Sequence, residues 1–361
     1  MLFNNWVQNI ERLKIDRPSK EVLKRLDCAE RVSNYEPELF QSFIKNLSQE
    51  DLITYPSYAE YSNLESKIAN YLKINKDQIS LGTGSDSCIK DLMQVTLQKD
   101  SEVVSIAPCF PMYFIYSSGF NAKFTPIDYS EFKLNGFESF YECITSKTSL
   151  VIFTNPGSPF GYFKDSSEVE ELAKYLCKKE IVLLIDEAYV EFAPGNCLEL
   201  VKKYNNVVIS RTFSKAWGAA GCRLGYLISQ PQNIKFISKV KLTYPVNTIA
   251  VKFISFLLDN YLEVEKYIKD SIKERDILCS KLENSGYEVI RTHANTIHFH
   301  EINGNNSRTI EILNKHKVAF KAGSLKTGTA VRVPGDKRET WIRLSLGLGV
   351  ISTDYMKEII N

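Results

Sequence analysis

Four short runs of apolar, mostly β-branched residues lie between positions 103 and 209, and helical segments separate them. The runs occupy residues 103–106, 150–153, 182–185 and 207–209. Runs of this length that are apolar at almost every position suit strands that are buried on both faces. Such strands, alternating with helices, predict an α/β fold with a mainly parallel sheet.

Two of the helical segments carry a Ser-x-x-Glu pattern, which is typical of a capping box at the start of a helix. The pattern predicts that helices begin near Ser62, with Glu65 following, and near Ser167, with Glu170 following.

The pattern changes from about Thr248 onward. Long charged amphipathic helices are predicted at 253–261 and 264–282, and alternating, strand-like segments follow near 296–299 and 341–346. This part reads as a second, smaller α+β domain. We therefore predict a large domain at 49–248 and a small domain formed by 1–48 together with 249–361.

Composition excludes several classes of protein. The 361 residues are 44% hydrophobic, which allows a large core, and the net charge of +2 gives no general attraction to nucleic acid or to an anionic membrane. The N-terminus lacks a basic segment followed by an apolar one, so we expect a cytoplasmic protein. Eight scattered cysteines form no C-x-x-C pair and predict reduced thiols. His298 and His300 share a strand face, but no neighbouring cluster completes a metal site.

The run 207–223 contains one lysine, Lys215, in a loop rich in hydroxyl groups and small residues that follows a short strand. A lysine amine can form a Schiff base with pyridoxal phosphate (PLP). Thr212, Ser214 and Arg223 could donate hydrogen bonds to the oxygens of a phosphate. The alternative is an ordinary Gly/Ala-rich loop.

Asp186 follows an apolar strand directly, so its carboxylate is costly unless it meets a cation. A protonated pyridine nitrogen is one such cation, and Tyr189 could then bond the oxygen on the same ring. A structural ion pair is the competing explanation.

Three further segments follow predicted strands and should therefore reach the same edge of the sheet. Residues 82–87 form a glycine turn that opens a helix and could cradle a phosphate. Residues 107–113 offer aromatic side chains that could stack on a ring, and residues 155–161 form a rigid turn. Core packing and plain loop structure explain each segment equally well when it is taken alone.

Together these segments make the chain resemble a fold-type-I PLP-dependent transferase of the aspartate aminotransferase superfamily, closest to the histidinol-phosphate aminotransferase family, from about Leu26 to Leu348. The resemblance implies that Lys215 holds the cofactor and shuttles a proton, while Asp186 and Tyr189 hold the pyridine nitrogen and the ring oxygen. It also implies the remaining cofactor ligands, namely Phe110 stacked on the ring, Ser158 near the ring oxygen, Ser85, Asp86, Thr212, Ser214 and Arg223 around the phosphate, and Tyr55 reaching a neighbouring subunit. Arg343 is the implied clamp for the substrate α-carboxylate, and a homodimer with shared sites is implied.

The chain departs from the family pattern at several positions. Ser158 replaces an asparagine, Ala29 stands where an amide is expected, and Lys321 replaces an arginine linked to substrate phosphate. Arg332 or Lys326 could supply that charge instead.

These features predict a PLP-dependent aminotransferase that moves an amino group, from L-glutamate in our expectation, to a small phosphorylated oxo-acceptor. A PLP-dependent decarboxylase of an amino-acid O-phosphate, such as phosphoserine or phosphothreonine, is the alternative. A PLP-sensing regulator would need an attached DNA-binding module, for which we see no room.

Overall fold

The computed structural model describes Val7, residues 24–322 and residues 341–361. The strands are β1 (Lys24–Arg25), β2 (Ile79–Gly82), β3 (Glu102–Ala107), β4 (Lys123–Asp128), β5 (Thr148–Thr154), β6 (Val182–Asp186), β7 (Val207–Thr212), β8 (Gly225–Ile228), β9 (Tyr287–Ile290), β10 (Thr296–Glu301), β11 (Val318–Ala319), β12 (Lys321–Ala322) and β13 (Ile342–Ser345). The α-helices are α1 (Pro37–Ile44), α2 (Glu50–Ile53), α3 (Tyr58–Leu72), α4 (Gly84–Thr96), α5 (Met112–Gly119), α6 (Tyr129–Asn135), α7 (Glu138–Cys143), α8 (Ser166–Cys177), α9 (Leu198–Lys203), α10 (Pro231–Ile237), α11 (Thr248–Asp259), α12 (Tyr261–Asn284), α13 (Ser307–Lys315) and α14 (Asp354–Ile360). Short 3-10 helices lie at Lys76–Gln78, Val190–Phe192 and Ala220–Cys222.

A seven-stranded sheet forms the centre of the larger part, in the order β2-β8-β7-β6-β5-β3-β4. The four predicted apolar runs are β3, β5, β6 and β7, and they pair in parallel. Their side chains are almost all buried, because helices cover both faces of the sheet. The prediction of a mainly parallel α/β sheet is therefore confirmed.

One strand of this sheet runs against the others. β8 is antiparallel to both of its neighbours, β2 and β7. Its first residue, Gly225, therefore lies beside Thr212 at the end of β7. The chain enters β8 at the same edge at which the parallel strands end.

The helix start predicted near Ser62 was wrong by about one turn, whereas the start predicted near Ser167 is confirmed to within one residue. Helix α3 begins at Tyr58, because Ser57 and Glu60 form the capping box there and Ser62 lies inside the helix. Helix α8 begins at Ser166, where the Glu168 carboxylate accepts a hydrogen bond from the Asp165 amide. In each case an earlier residue with a suitable side chain satisfies the exposed amides first.

A second sheet, with the antiparallel order β12-β13-β10-β9, forms the smaller part. Its core joins Leu26 to apolar residues between Leu278 and Ile359, separately from the core of the large sheet. Helix α11 begins five residues before the predicted 253–261, because Asn247 caps it through the Ala250 amide, and it ends two residues before the predicted end. Helix α12 extends beyond the predicted 264–282 at both ends. The division at residues 248 and 249 stays a prediction.

Within the described residues, no helix is long and apolar enough to span a membrane, and no cluster of side chains could hold a metal ion. His298 and His300 are buried in β10. All eight cysteines are free thiols, three of them buried.

Candidate active site

The carboxyl ends of neighbouring parallel strands bring sequence-distant residues together. Thr154 at the end of β5 lies beside Asp186 at the end of β6, and Asp186 lies beside Ser210 of β7. The loops after these strands start at this one edge of the sheet. Ligands bind at such an edge in open α/β folds, as the sequence predicted.

The carboxylate of Asp186 is buried at the centre of this edge. It accepts hydrogen bonds from the hydroxyls of Tyr113 (2.5 Å) and Ser210 (2.8 Å) and from the amide of Ala188 (3.2 Å). Burial raises the pKa of Asp186, although the bonds from Tyr113 and Ser210 oppose this shift. No salt bridge joins Asp186 to a cation within the described residues. The group is held in place by neutral donors and is suited to meet a cationic ligand.

Lys215 lies on the loop that follows β7. Its amine donates to the main-chain carbonyl of Cys28 at 3.2 Å and lies 5.5 Å from the centre of the Tyr189 ring. The structure thus brings together Lys215 and Tyr189, two of the three predicted catalytic residues. The N-terminal segment therefore contacts the amine through the Cys28 carbonyl.

A group of hydrogen-bond donors lies where β7, β8 and α4 meet. The Thr212 and Ser214 hydroxyls are 3.0 Å apart, and Arg223 donates to Ser214 at 3.5 Å. Gly84 has a φ of 77°, and a Cβ there would lie 2.8 Å from the Arg223 guanidinium. The absence of a side chain therefore keeps open a cradle beside a guanidinium and the amides of a helix start.

Ser85 and Asp86 form the first turn of α4 at this cradle. The Asp86 carboxylate accepts a hydrogen bond from the Tyr116 hydroxyl at 2.6 Å. Gly225 lets β8 approach closely, because a Cβ there would lie 2.2 Å from the Ser85 amide nitrogen. Since the Asp86 side chain has its own partner, the amides of this turn are what we expect a phosphate to meet.

Phe110 is partly exposed above the same edge, and its ring meets Tyr113 edge-on at 5.6 Å. Phe110 therefore contacts the residue whose hydroxyl bonds Asp186. Ser158 lies half-buried on the loop after β5. Gly161 on this loop packs against residue 292 and accepts a hydrogen bond from the His293 amide, which ties the loop to the smaller part of the molecule.

Two further basic residues come from the smaller sheet. Lys321 of β12 is the direct partner of Arg343 of β13. The Arg343 guanidinium donates to the main-chain carbonyl of Asp27 at 3.0 Å. Burial lowers the pKa of both groups, and the charges of Arg343 and Lys215 lower that of Lys321 further. Lys215, Lys321 and Arg343 therefore share one positively charged region.

Ala29 is buried next to this region and has a φ of 54°, in the left-handed range. Its amide donates to the Ser345 hydroxyl at 2.7 Å, and its carbonyl accepts from Asn295 at 3.1 Å. The main chain at Ala29 is therefore fixed by the smaller sheet, although the expected amide side chain is missing.

Two predicted residues stand apart. Tyr55 is 75% exposed, and its ring stacks on Tyr244 at 4.3 Å. Within the described residues of this one chain it meets none of the groups above. Arg332 and Lys326 lie outside the described residues.

Sequence reasoning missed Tyr113 and Ser210, the two side chains that hold Asp186. The register of β6 and β7 places Ser210 beside Asp186, and a strand pairing cannot be read from one strand alone. Tyr113 belongs to the aromatic run 107–113, but the sequence does not show that its hydroxyl bonds a buried carboxylate.

The residues present fit PLP. The Gly84 cradle with Arg223 suits its phosphate, and the Asp186 carboxylate suits its ring nitrogen. Lys215 lies on the loop after β7, the strand whose Ser210 bonds Asp186. The fit rests on charge and on the open space at Gly84.

Comparisons with known proteins agree with this geometry. The model of the family "Aminotransferase class I and II" matches residues 28–360. Histidinol-phosphate aminotransferase 1 of Mannheimia succiniciproducens is 30% identical over 360 residues, which cover 96% of this chain and 93% of that protein.

Solved structures share the fold. Histidinol-phosphate aminotransferase from Sinorhizobium meliloti, in complex with pyridoxal-5'-phosphate, aligns with a TM-score of 0.80 at 19% identity and covers 99% of this chain and 95% of its own. L-threonine-O-3-phosphate decarboxylase from Porphyromonas gingivalis aligns with a TM-score of 0.71 at 17% identity, over 93% of this chain and 98% of its own. The chain therefore belongs to the class I and II aminotransferases, and it is a PLP-dependent enzyme of the histidinol-phosphate aminotransferase-like kind.

Proposed function

We propose that this aminotransferase takes its amino group from L-glutamate and delivers it to a small phosphorylated oxo-acceptor. The observation that carries the proposal is the pairing of Lys321 with Arg343 beside Lys215. One cation suits the α-carboxylate of the donor, and the second suits an anionic group further along the substrate.

Lys321 supports an anionic distal group in particular. It is half-buried, and none of the salt bridges in the described part of the chain involves it. Burial and the charge of Arg343 lower the pKa of Lys321, which means that its charged form is destabilised. An anion bound beside Lys321 would stabilise that charge. The γ-carboxylate of glutamate and the phosphate of the acceptor could use this amine in turn.

Each candidate residue has a distinct task in this proposal. Arg343 would bind the α-carboxylate and orient the substrate, and Lys215 would move a proton at the α-carbon. Bound PLP supplies an electron sink for that carbon, and Asp186 would keep its ring nitrogen protonated. Thr212, Ser214 and Arg223, with the amides of Ser85 and Asp86, would anchor its phosphate.

We also propose a cytoplasmic homodimer. Exposed apolar side chains gather on and near the segment that carries Tyr55. They are Leu52, Ile53, Tyr55, Tyr58, Leu242 and Tyr244. A second copy would cover this surface, and Tyr55 would then reach the partner's site.

A decarboxylase of an amino-acid O-phosphate is the second candidate, because one structural relative bears that activity. Decarboxylation needs the bond to the α-carboxylate perpendicular to the ring, whereas transamination needs the Cα–H bond there. In this structure Arg343 donates to the Asp27 carbonyl, and Lys215 donates to the adjacent Cys28 carbonyl. Arg343 therefore has a fixed position, and we expect it to hold the α-carboxylate of the substrate firmly.

The test begins with the absorbance spectrum of the PLP-loaded enzyme before and after addition of L-glutamate alone. Conversion of the cofactor to its amino form is the expected result. Phosphorylated ketones and aldehydes, each paired with its dephosphorylated counterpart, should then restore the starting spectrum, with the phosphorylated member much faster. Equal rates for both members would refute the phosphorylated acceptor.

The rival is tested with phosphoserine and phosphothreonine as the only substrates. Release of CO2, with no conversion by glutamate, would replace the aminotransferase proposal with the decarboxylase. Lys321→Ala should weaken the phosphorylated acceptor selectively, while Lys235→Ala on exposed α10 serves as the control.

A further inference from the structure

Residues 27–31 form a short segment at the site, which we call the strap. The main chain of the strap contacts the side chains of Arg343 and Lys215. The Asp27 carbonyl accepts from Arg343 at 3.0 Å, and the Cys28 carbonyl accepts from Lys215 at 3.2 Å. The positions of these two carbonyls therefore set where the two cations rest. Ser345 and Asn295 hold the middle of the strap through Ala29.

Arg31 forms the far end of the strap, and its guanidinium lies against two aromatic rings. The distances to the ring centres are 3.6 Å for Tyr267 of α12 and 4.3 Å for Tyr35. Arg31 also donates to the main-chain carbonyls of Ser33 at 2.9 Å and Asn34 at 3.3 Å. It makes no salt bridge in the described part of the chain, and burial lowers its pKa. Aromatic rings and main-chain carbonyls, and no carboxylate, therefore stabilise this guanidinium.

Arg31 also packs directly on the turn that follows Lys215. A Cβ at Gly218, where φ is 76°, would lie 2.4 Å from the Arg31 Cδ. The Gly218 amide donates to the Lys215 carbonyl at 3.0 Å, and the Tyr35 hydroxyl donates to the Trp217 carbonyl at 2.7 Å. One arginine therefore connects the strap, helix α12 and the Lys215 turn.

We propose that Arg31 is a positioning residue for the transamination reaction. Through the strap it fixes the carbonyls of Asp27 and Cys28, and through Gly218 it fixes the turn that carries Lys215. The task requires a planar cation, because a guanidinium can lie flat on a ring while it donates in its own plane, and an ammonium cannot. The proposal rests on the roles of Lys215 and Arg343 given above.

The test compares Arg31→Lys, which keeps the charge, with Arg31→Met, which keeps most of the length. Tyr267→Leu removes one ring, and Tyr267→Phe is the matched control that keeps it. The first readout needs neither cofactor nor activity. It is the rate at which Cys28, on the strap, reacts with a thiol reagent in the cofactor-free protein, followed by mass spectrometry of the peptides.

We expect Cys28 to react at least fivefold faster in Arg31→Lys, Arg31→Met and Tyr267→Leu than in the wild type and in Tyr267→Phe. Cys177, which is half-buried at the end of α8, is the internal reference and should keep its rate. A rise for both cysteines would mean general loosening and would overturn the proposal, as would an unchanged Cys28 in Arg31→Lys.

The second readout is steady-state kinetics of the loaded enzyme. Because Arg343 loses its fixed position, KM for the amino donor should rise about tenfold or more in Arg31→Lys, with a smaller loss in kcat. Equal kinetic constants in Arg31→Lys and wild type would also refute the proposal. If the enzyme proves to be a decarboxylase, the Cys28 result still tests the strap, so the two failures are distinguishable.

Discussion

Asp186 shows at the scale of one residue how a buried carboxylate can be prepared for a cation. Its three donors are neutral, so the negative charge is satisfied by hydrogen bonds but not neutralised. Burial raises its pKa. A positively charged ring nitrogen would remove this penalty, so cofactor binding and ionisation of Asp186 support each other.

Asp186→Asn should keep the hydrogen-bonded geometry and remove the charge. We expect kcat to fall by roughly 10²–10³-fold, the range typical of losing one preorganised electrostatic partner. Steady-state kinetics at saturating PLP measure this, and thermal unfolding checks that the fold is kept. Asp77→Asn, on an exposed turn, is the control. Wild-type kcat in Asp186→Asn would contradict the assigned role.

With Lys321 as the proposed phosphate ligand, binding of a phosphorylated acceptor should weaken at alkaline pH. Burial and the charge of Arg343 lower the pKa of Lys321 below the ordinary 10.5, so its ammonium loses its proton at a lower pH than an unperturbed lysine would. The phosphate is already a dianion above about pH 6 and does not change in this window.

We therefore expect KM for the phosphorylated acceptor to rise as pH increases, with a midpoint below the ordinary lysine value. Lys321→Arg should move this rise to higher pH, because a guanidinium stays charged throughout. Kinetics across the alkaline range provide the measurement, and a dephosphorylated acceptor is the control. An identical pH profile for Lys321→Arg and wild type would exclude Lys321 as the phosphate ligand.

The residues that bear an obvious chemical group could be predicted from sequence, whereas their supports could not. Lys215 and Asp186 stand in distinctive local patterns, and the structure brings both to the strand ends. The role of Cys28 depends on a main-chain carbonyl, which every residue has. Arg31 acts by contact with Tyr267, which lies 236 positions further along the chain. Such partnerships become visible only once the chain is folded.

At the scale of elements, a buried ion pair joins the ends of β6 and β7. Arg211 donates from Nε to a carboxylate oxygen of Glu187 at 2.8 Å, and its Nη2 lies 2.7 Å from the same oxygen without forming a second hydrogen bond; the two side chains are 5% and 0% exposed. Glu187 also accepts from the Cys197 amide at 2.6 Å. The pair fixes neighbouring strand ends directly beneath the site.

Glu187→Gln should remove the carboxylate that is paired with the buried Arg211 guanidinium, and only the charge of Glu191, which forms no salt bridge with Arg211 in the described part of the chain, would remain nearby. We expect the free energy of unfolding to fall by about 3–5 kcal/mol, measured by denaturant titration. Glu199→Gln, which breaks the exposed pair with Lys202, should change it by less than about 1 kcal/mol. A similar small effect for both variants would show that the buried pair does not stabilise the fold as argued.

Strands were easier to predict than helix starts. The apolar runs of β3, β5, β6 and β7 have no alternative to burial, so their pattern determined both their type and their parallel arrangement. Helix starts are decided among several polar residues that differ little in capping ability. Ser57 and Asp165 precede the serines that the sequence pattern favoured, and they cap first.

At the scale of the whole molecule, the exposed apolar surface around Tyr55 predicts that two chains share their sites. We expect the Tyr55→Ala homodimer and the Lys215→Ala homodimer each to have low enzymatic activity. Unfolding and refolding an equal mixture should produce mixed dimers in which one site has both residues, with activity near about a quarter of wild type. Activity that did not exceed the average of the separate variants would mean that Tyr55 serves no partner. Ultracentrifugation measures the oligomeric state independently.

The reversed direction of β8 has a consequence for the order in which a newly made chain acquires its parts. Because β2 pairs with β8, residues 79–82 find their neighbours only when residues 225–228 have been synthesised. The phosphate cradle, which needs both Gly84 and Arg223, cannot exist before then. Arg343, the residue proposed to bind the substrate carboxylate, is synthesised later still, close to the C-terminus. A chain emerging from the ribosome would thus gain a place for the cofactor before a place for the substrate, and a truncated chain that ends between these points would hold the first without the second.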